Sequence, residues 1–380
     1  MMVLLVALLL FIIGLVQILT KGAQTLAVNP TYSYGIAFLT IFIFIVPFLI
    51  DKFREIAKHP THIRSFITGY YPSWVILLLL LGWGLILFAG YYLIGKGLGS
   101  VILMPILAVV AVIIPIFIFV SIVRKQDDPI PFSRGWGAFS VGATASPVLG
   151  NLIEFGIAAI AFIIFFIIIF SDPHAVSNLQ RIANRLTSAE SNPEIIKNVV
   201  TSFIRLPLNK YILLSIVSGI IPIIEEIIKQ TPIWLLAWRK LTPRAGLVIG
   251  ALGGAGFALT ESLLTTPIIG DPDQWLFQTI GRAGTGLMHV TTGAIGGWGL
   301  ASAFSHKGYL KSLLVYLLAI SLHAIWNGLA IWEGIGRLTN SPSVSVNQFG
   351  YESNLPMLLM AGQFLVMLFF LIVNNRILKE

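Results

Sequence analysis

The chain contains no cysteine. Disulfides, thiol nucleophiles and cysteine metal sites are therefore excluded. Charge is nearly as scarce: Asp, Glu, Lys and Arg make up 11% of the 380 residues, 16 acids against 24 bases. A soluble domain of this length needs a far more polar surface. No basic patch interleaved with aromatics stands anywhere, so the net charge of +8 is not a nucleic-acid footprint and no nucleic-acid partner is expected.

What fills the chain instead is apolar: 57% of its residues are hydrophobic. Runs of about 20 apolar residues, the length that crosses a bilayer, recur from end to end. The expected fold class is all-α, a polytopic transmembrane helical bundle. Ten spans are expected, over about 2–19, 33–50, 73–95, 98–123, 136–170, 210–238, 245–268, 282–304, 309–333 and 356–375. The first, "MMVLLVALLLFIIGLVQILT", lacks a charged start and is long for a signal core, so it reads as a retained span. The fifth is too long for one straight crossing, and Pro147 is expected to kink or divide it.

The loops alternate in charge. Lys52, Arg54, Lys58 and Arg64 crowd one loop; Arg124, Lys125 and Arg134 the next on that side; then Arg239, Lys240 and Arg244; then Lys307 and Lys311; and finally Arg376 and Lys379. The short alternate loops carry single cations, Lys21, Lys96, Arg282 and Arg337. Positive loops stay inside, so both termini are expected in the cytoplasm, with the cell membrane as the location. The long loop 171–209 then faces outward. Helical spacing of Ala175, Leu179, Ile182 and Leu186, and of Ile195, Val199 and Phe203, predicts short interfacial helices there.

Against this apolar background stands "SGIIPIIEEIIKQTPIW" at 218–234. Ionisable groups at membrane depth are costly and count as functional candidates. Lys229 is four residues from Glu225 and three from Glu226, so either carboxylate can meet its ammonium. One lysine neutralises one glutamate. The other needs a proton, a second partner or water. Glutamate first and lysine four residues later is the more favourable order, which favours Glu225 as the partner. Glu226, about 100° further round, would then face neighbouring helices.

More polar groups follow on successive spans. "GFALTESLL" places Glu261 one turn after Phe257, "GRAGTGLMHVTTG" carries His289, and "SLHAIWNG" places Asn327 one turn after His323. Gly250 and Gly254 are four apart, as are Gly293 and Gly297, a spacing that lets helices approach closely. Glu154 also lies at membrane depth and reads as a packing or water-path residue, while His59, His62, His174 and His306 fall in loops.

"EEIIK", then "FALTE", then "HVTTG", then "HAIWN", each on its own span, resembles the PrsW family of intramembrane proteases. That family is related to the CAAX-prenyl processing enzymes, the bacteriocin-processing proteins and the Aph-1 subunit of gamma-secretase. The resemblance runs over roughly 220–330, and "RKQDDPIPFSRGWGAF" at 124–139 resembles the family's polar lead-in. The glutamate of "FALTE" favours PrsW over the CAAX enzymes, which carry histidine there. Asn327 departs from the acid often found in PrsW-like proteins, which weakens the case for a metal at that position. On this resemblance the chain divides into an N-terminal transmembrane region over 1–123, a protease core over 124–335, and a C-terminal loop and last span over 336–380.

The resemblance implies hydrolysis of a peptide bond in a membrane-anchored protein near the outer face, within the lipid bilayer. Glu226 is assigned as the base that activates water, with Glu225 held by Lys229. His323 and Asn327 would polarise the carbonyl, and Glu261 and His289 would complete the cradle, with Phe257 and Arg282 supporting. Glu226, Glu261, His289 and His323 could hold zinc, and a metal-free route is equally open. The rival readings are a proton- or cation-coupled transporter or channel, and a catalytically silent Aph-1-like scaffold. Proteolysis in detergent against ion flux in liposomes separates them.

Overall fold

The computed structural model describes residues 2–21, 29–57, 72–124, 130–171, 207–236, 241–265, 271–306, 308–339 and 355–377, with isolated positions between 176 and 204. The two short helices expected in the 171–209 loop therefore lie mostly outside the described residues.

Every described element is a helix: α1 (Met2–Lys21), α2 (Pro30–Ile56), α3 (Ser73–Leu93), α4 (Leu98–Val123), α5 (Phe132–Ala143), α6 (Ala145–Phe170), α7 (Pro207–Ser215), a π-turn (Ile216–Ile220), α8 (Ile221–Lys229), α9 (Thr231–Trp234), α10 (Pro243–Thr265), α11 (Pro272–His306), α12 (Tyr309–Thr339) and α13 (Leu355–Ile377). All ten expected spans fall on helices. Among the described residues, 8 helical stretches are long and apolar enough to cross a bilayer. The other two expected spans are α1, apolar over Leu4–Ile18, and α11, which is diluted by polar and glycine residues. The fifth span is divided as expected. The break falls at Thr144, whose hydroxyl donates to the Ser140 carbonyl at 2.6 Å. Pro147 then lies in the first turn of α6, where its missing N–H breaks no helical bond.

The chain forms two compact units: residues 1–147, 226–322 and 364–380, and residues 148–225 with 323–363. Their boundaries cut through α8 between Glu225 and Glu226 and through α12 between Leu322 and His323.

In the first unit α10 is the core. From Arg244 to Leu263 every residue except Ala245 and Glu261 is buried. A helix hidden on all sides must be thin, and "GLVIGALGGAGFALT" is built of small residues. Helices at membrane depth associate through such close packing rather than through a hydrophobic drive. A Cβ on Gly250 would lie under 3.0 Å from the Gly293 carbonyl of α11, and one on Gly254 equally close to the His289 carbonyl. On another side, Gly256 packs as tightly against the Phe139 carbonyl of α5. α10 thus fixes the backbone at His289 by direct contact. Around it α1 packs on α2, and α3 on α4. The buried Trp275 indole of α11 donates to the Leu87 carbonyl of α3 at 2.9 Å.

In the second unit α6 turns large apolar side chains outward: Leu152, Phe155, Ile160 and Phe162 are each at least 60% exposed. That is the pattern of a helix surrounded by lipid.

Gly254→Val should cost about 3 kcal/mol or more, because backbone rather than a yielding side chain blocks the new carbons. Gly82→Val on α3, where nothing lies within 4 Å, should be neutral. Thermal unfolding in detergent measures both, and equal behaviour of the two would contradict the packing described.

Candidate active site

Glu226 and Lys229 lie one turn apart on the inward face of α8, and both side chains are 0% exposed. The Lys229 ammonium donates to Glu226 Oε1. The Thr292 hydroxyl of α11 donates to the same oxygen at 3.0 Å, and Lys229 Nζ lies 3.3 Å from that hydroxyl. The ammonium also sits 5.3 Å from the centre of the Phe257 ring, a cation–π contact that helps replace lost hydration. A buried ion pair of this kind is tolerated only when further hydrogen bonds complete it. Thr292 and Phe257 provide that completion.

This overturns one expectation. Lys229 pairs with Glu226, not with Glu225. Both spacings are sterically open on a helix, and the tertiary partners decide: the face carrying Glu226 and Lys229 meets Thr292 of α11 and Phe257 of α10.

The second cluster in this unit centres on Glu261, a partly open position in the largely buried run of α10. One of its carboxylate oxygens accepts from Arg282 Nη1 at 2.9 Å, and the other lies 2.5 Å from His289 Nε2. His289 itself is 1% exposed, and its ring stands 5.1 Å from that of Phe257. Arg282 balances the charge of Glu261. A carboxylate on Nε2 favours the tautomer whose proton sits there.

In the second unit, His323 Nε2 of α12 lies 3.5 Å from Glu225 Oε2 of α8, with the histidine 1% and the glutamate 13% exposed. Asn327, one turn further along α12, donates its amide to the Val217 carbonyl of the π-turn at 3.2 Å. Each sequence-predicted residue thus has a partner within its own unit, and Glu225 and Glu226 join the two sets as consecutive residues of one helix. Thr292 and the π-turn were not singled out in the sequence. Thr292 stands three residues after His289 on the same helix face, and Pro222 just before the glutamates is the signal for the turn.

Three carboxylates and two histidines on apolar helices, with the permanent cations paired to two of those carboxylates, describe a membrane-embedded peptidase of the glutamate/histidine type. The profile of the PrsW family intramembrane metalloproteases matches residues 152–370, more than half of the chain, and the chain belongs to that family. It is an integral membrane protein and an intramembrane protease. No curated protein and no solved structure matches it.

Lys229→Met should leave the Glu226 charge buried alone and cost about 3–5 kcal/mol, whereas Lys229→Met with Glu226→Gln should recover most of that loss. Thermal unfolding of the two variants checks this. A double variant no more stable than the single would contradict the pairing.

Proposed function

We propose that the protein hydrolyses a peptide bond of a membrane-anchored protein near the outer membrane face, with Glu225 as the base. The observation that carries this reading is the division of labour between adjacent glutamates. Glu226 is locked by Lys229 and Thr292, while Glu225 stands beside an imidazole and keeps 13% of its side chain open. The proposed base therefore moves from Glu226 to Glu225.

The chemistry follows from that geometry. A 3.5 Å separation is too long for a good direct hydrogen bond, and both groups can hold one water instead. Glu225 takes a proton from that water as its oxygen attacks the scissile carbonyl carbon. The carbonyl oxygen takes up the electron pair of the broken π bond. On collapse the C–N bond breaks, and the proton held by Glu225 passes to the leaving amine. In the first unit Phe257, Thr292 and the Lys229 pair fix the Glu226 end of α8 against α10 and α11.

The donor set also fits a metal, as the family description implies. Two ligands of a tetrahedral zinc with bonds of about 2.05 Å stand about 3.4 Å apart, close to the separation of Glu225 and His323. In the second unit Glu225 and His323 would then be ligands of the ion, and Glu225 would serve as the base only on the metal-free route. When bound, zinc supplies a Lewis acid that polarises a carbonyl and acidifies water. Glu226 and Glu261, considered as ligands on sequence grounds, are committed instead to Lys229 and to Arg282 with His289.

Glu225→Gln should lower cleavage by about 10²–10⁴-fold in folded, inserted protein, the usual weight of a general base. Glu226→Gln should chiefly lower yield, with specific activity per folded molecule within about an order of magnitude of wild type. Proteomic comparison of membranes, with cleavage normalised to folded protein, reads both. Full specific activity in Glu225→Gln would refute the assignment.

The outer-face location needs both termini in the cytoplasm, as the basic loops suggest. Reporters fused after residue 380 and inserted near 240 should then register the cytoplasm, and one near 190 the outside. A cytoplasmic signal at 190 would move the site to the inner half of the membrane.

A further inference from the structure

The helix that carries the two glutamates is not regular. Residues 216–220 form a π-turn, closed by the Ile221 N–H bonding to the Ile216 carbonyl five residues back. The cause lies one residue further on. In that pattern the Val217 carbonyl would pair with the N–H of residue 222, but residue 222 is proline and has none. Ile221, the donor an α-helix would use for Val217, is already taken by Ile216. A carbonyl at membrane depth cannot fall back on bulk water, so its partner has to come from elsewhere in the protein. Asn327 Nδ2 donates to it at 3.2 Å. The next residue of α12, Gly328, faces Ser218, where a Cβ would stand in ordinary contact at 3.4 Å. α12 therefore meets the π-turn at two successive residues.

The turn sets where the glutamates point. It holds one residue more than an α-turn, and each residue of an α-helix accounts for 100° of rotation. If the turn relaxed to α with α7 held, every later side chain would rotate by about 100°. Glu226 would take the present direction of Ile227, which is 46% exposed among apolar neighbours. Glu225 would take the inward direction of Glu226 and leave the side of His323.

We propose that Asn327 is a positioning residue whose amide replaces the backbone donor missing at Pro222, holding the π-turn that aims Glu225 at His323. It acts through the Val217 carbonyl and touches neither substrate nor metal. The consequence for catalysis rests on the hydrolase reading above; the structural coupling to Pro222 does not. A carboxylate would serve badly here, since an ionised acid has no hydrogen to donate.

The test is a double-variant cycle on the full-length protein: wild type, Asn327→Ala, Pro222→Ala and both together. Pro222→Ala gives Val217 a backbone donor, so Asn327 loses its task. Hydrogen exchange of amides over 218–225 should speed up about tenfold on Asn327→Ala in the wild-type background, and less than about threefold in the Pro222→Ala background. Cleavage should follow the same pattern, as a fall in kcat with KM little changed. Equal acceleration in both backgrounds, or none in either, would overturn the proposal. A kcat loss of the same size in both backgrounds with exchange unmoved would also overturn it and place the amide on the substrate. The exchange arm decides even if Pro222→Ala is itself inactive. Absence of cleavage by wild type would instead count against the hydrolase reading and leave the exchange result standing.

Discussion

The salt bridge between Glu226 and Lys229 is the interaction on which the site depends. At membrane depth an isolated charge is severely penalised, and an ion pair survives only with good geometry and further polar contacts. The pair has both: the Thr292 hydroxyl bridges its two members, and the Phe257 ring faces the ammonium. Once α8 is rotated to make those contacts, Glu225 is turned about 100° away by helix geometry alone. The specialisation of two chemically identical neighbours thus follows from where a single lysine can reach.

The second constraint is the thinness of α10. Because Gly250 and Gly254 let α11 approach to backbone contact, side chains on the two helices meet at short range without long spacers. Glu261 can therefore hold His289 with one oxygen and Arg282 with the other. The same packing that replaces a hydrophobic drive in lipid also sets the distance between a carboxylate and an imidazole. Stability and site geometry share one interface, so a bulky residue there would damage both.

Much of this was legible in the sequence. Apolar runs gave every span, because the bilayer imposes length and composition directly. The break in the fifth span was visible from Pro147, although it lies at Thr144, since proline is tolerated in the first turn of the helix that follows. The site residues were legible as polar exceptions in an apolar text, and the glycine spacing foretold the contact of α10 with α11. The partner of Lys229 was not, because spacings of three and four are both allowed on one helix and partners on α10 and α11 make the choice. The π-turn was also missed. Pro222 was in plain view, but a proline signals only a missing donor; whether the helix kinks, breaks or widens depends on what lies opposite, here Asn327.

Charge balance then separates the readings that composition left open. A proton or cation relay needs carboxylates that exchange their ions as the cargo moves. Here the two permanent cations of the cluster are already committed, Lys229 to Glu226 inside a fully buried triad and Arg282 to Glu261. Glu225 differs in the looseness of its pair: His323 lies 3.5 Å away, a distance suited to a shared water or ion, where His289 stands 2.5 Å from Glu261. The arrangement ties two carboxylates to permanent cations and sets the third at that looser distance from a histidine. A scaffold would need only the first kind. A hydrolase needs both, because the base must change protonation state during turnover while the frame around it keeps its charge.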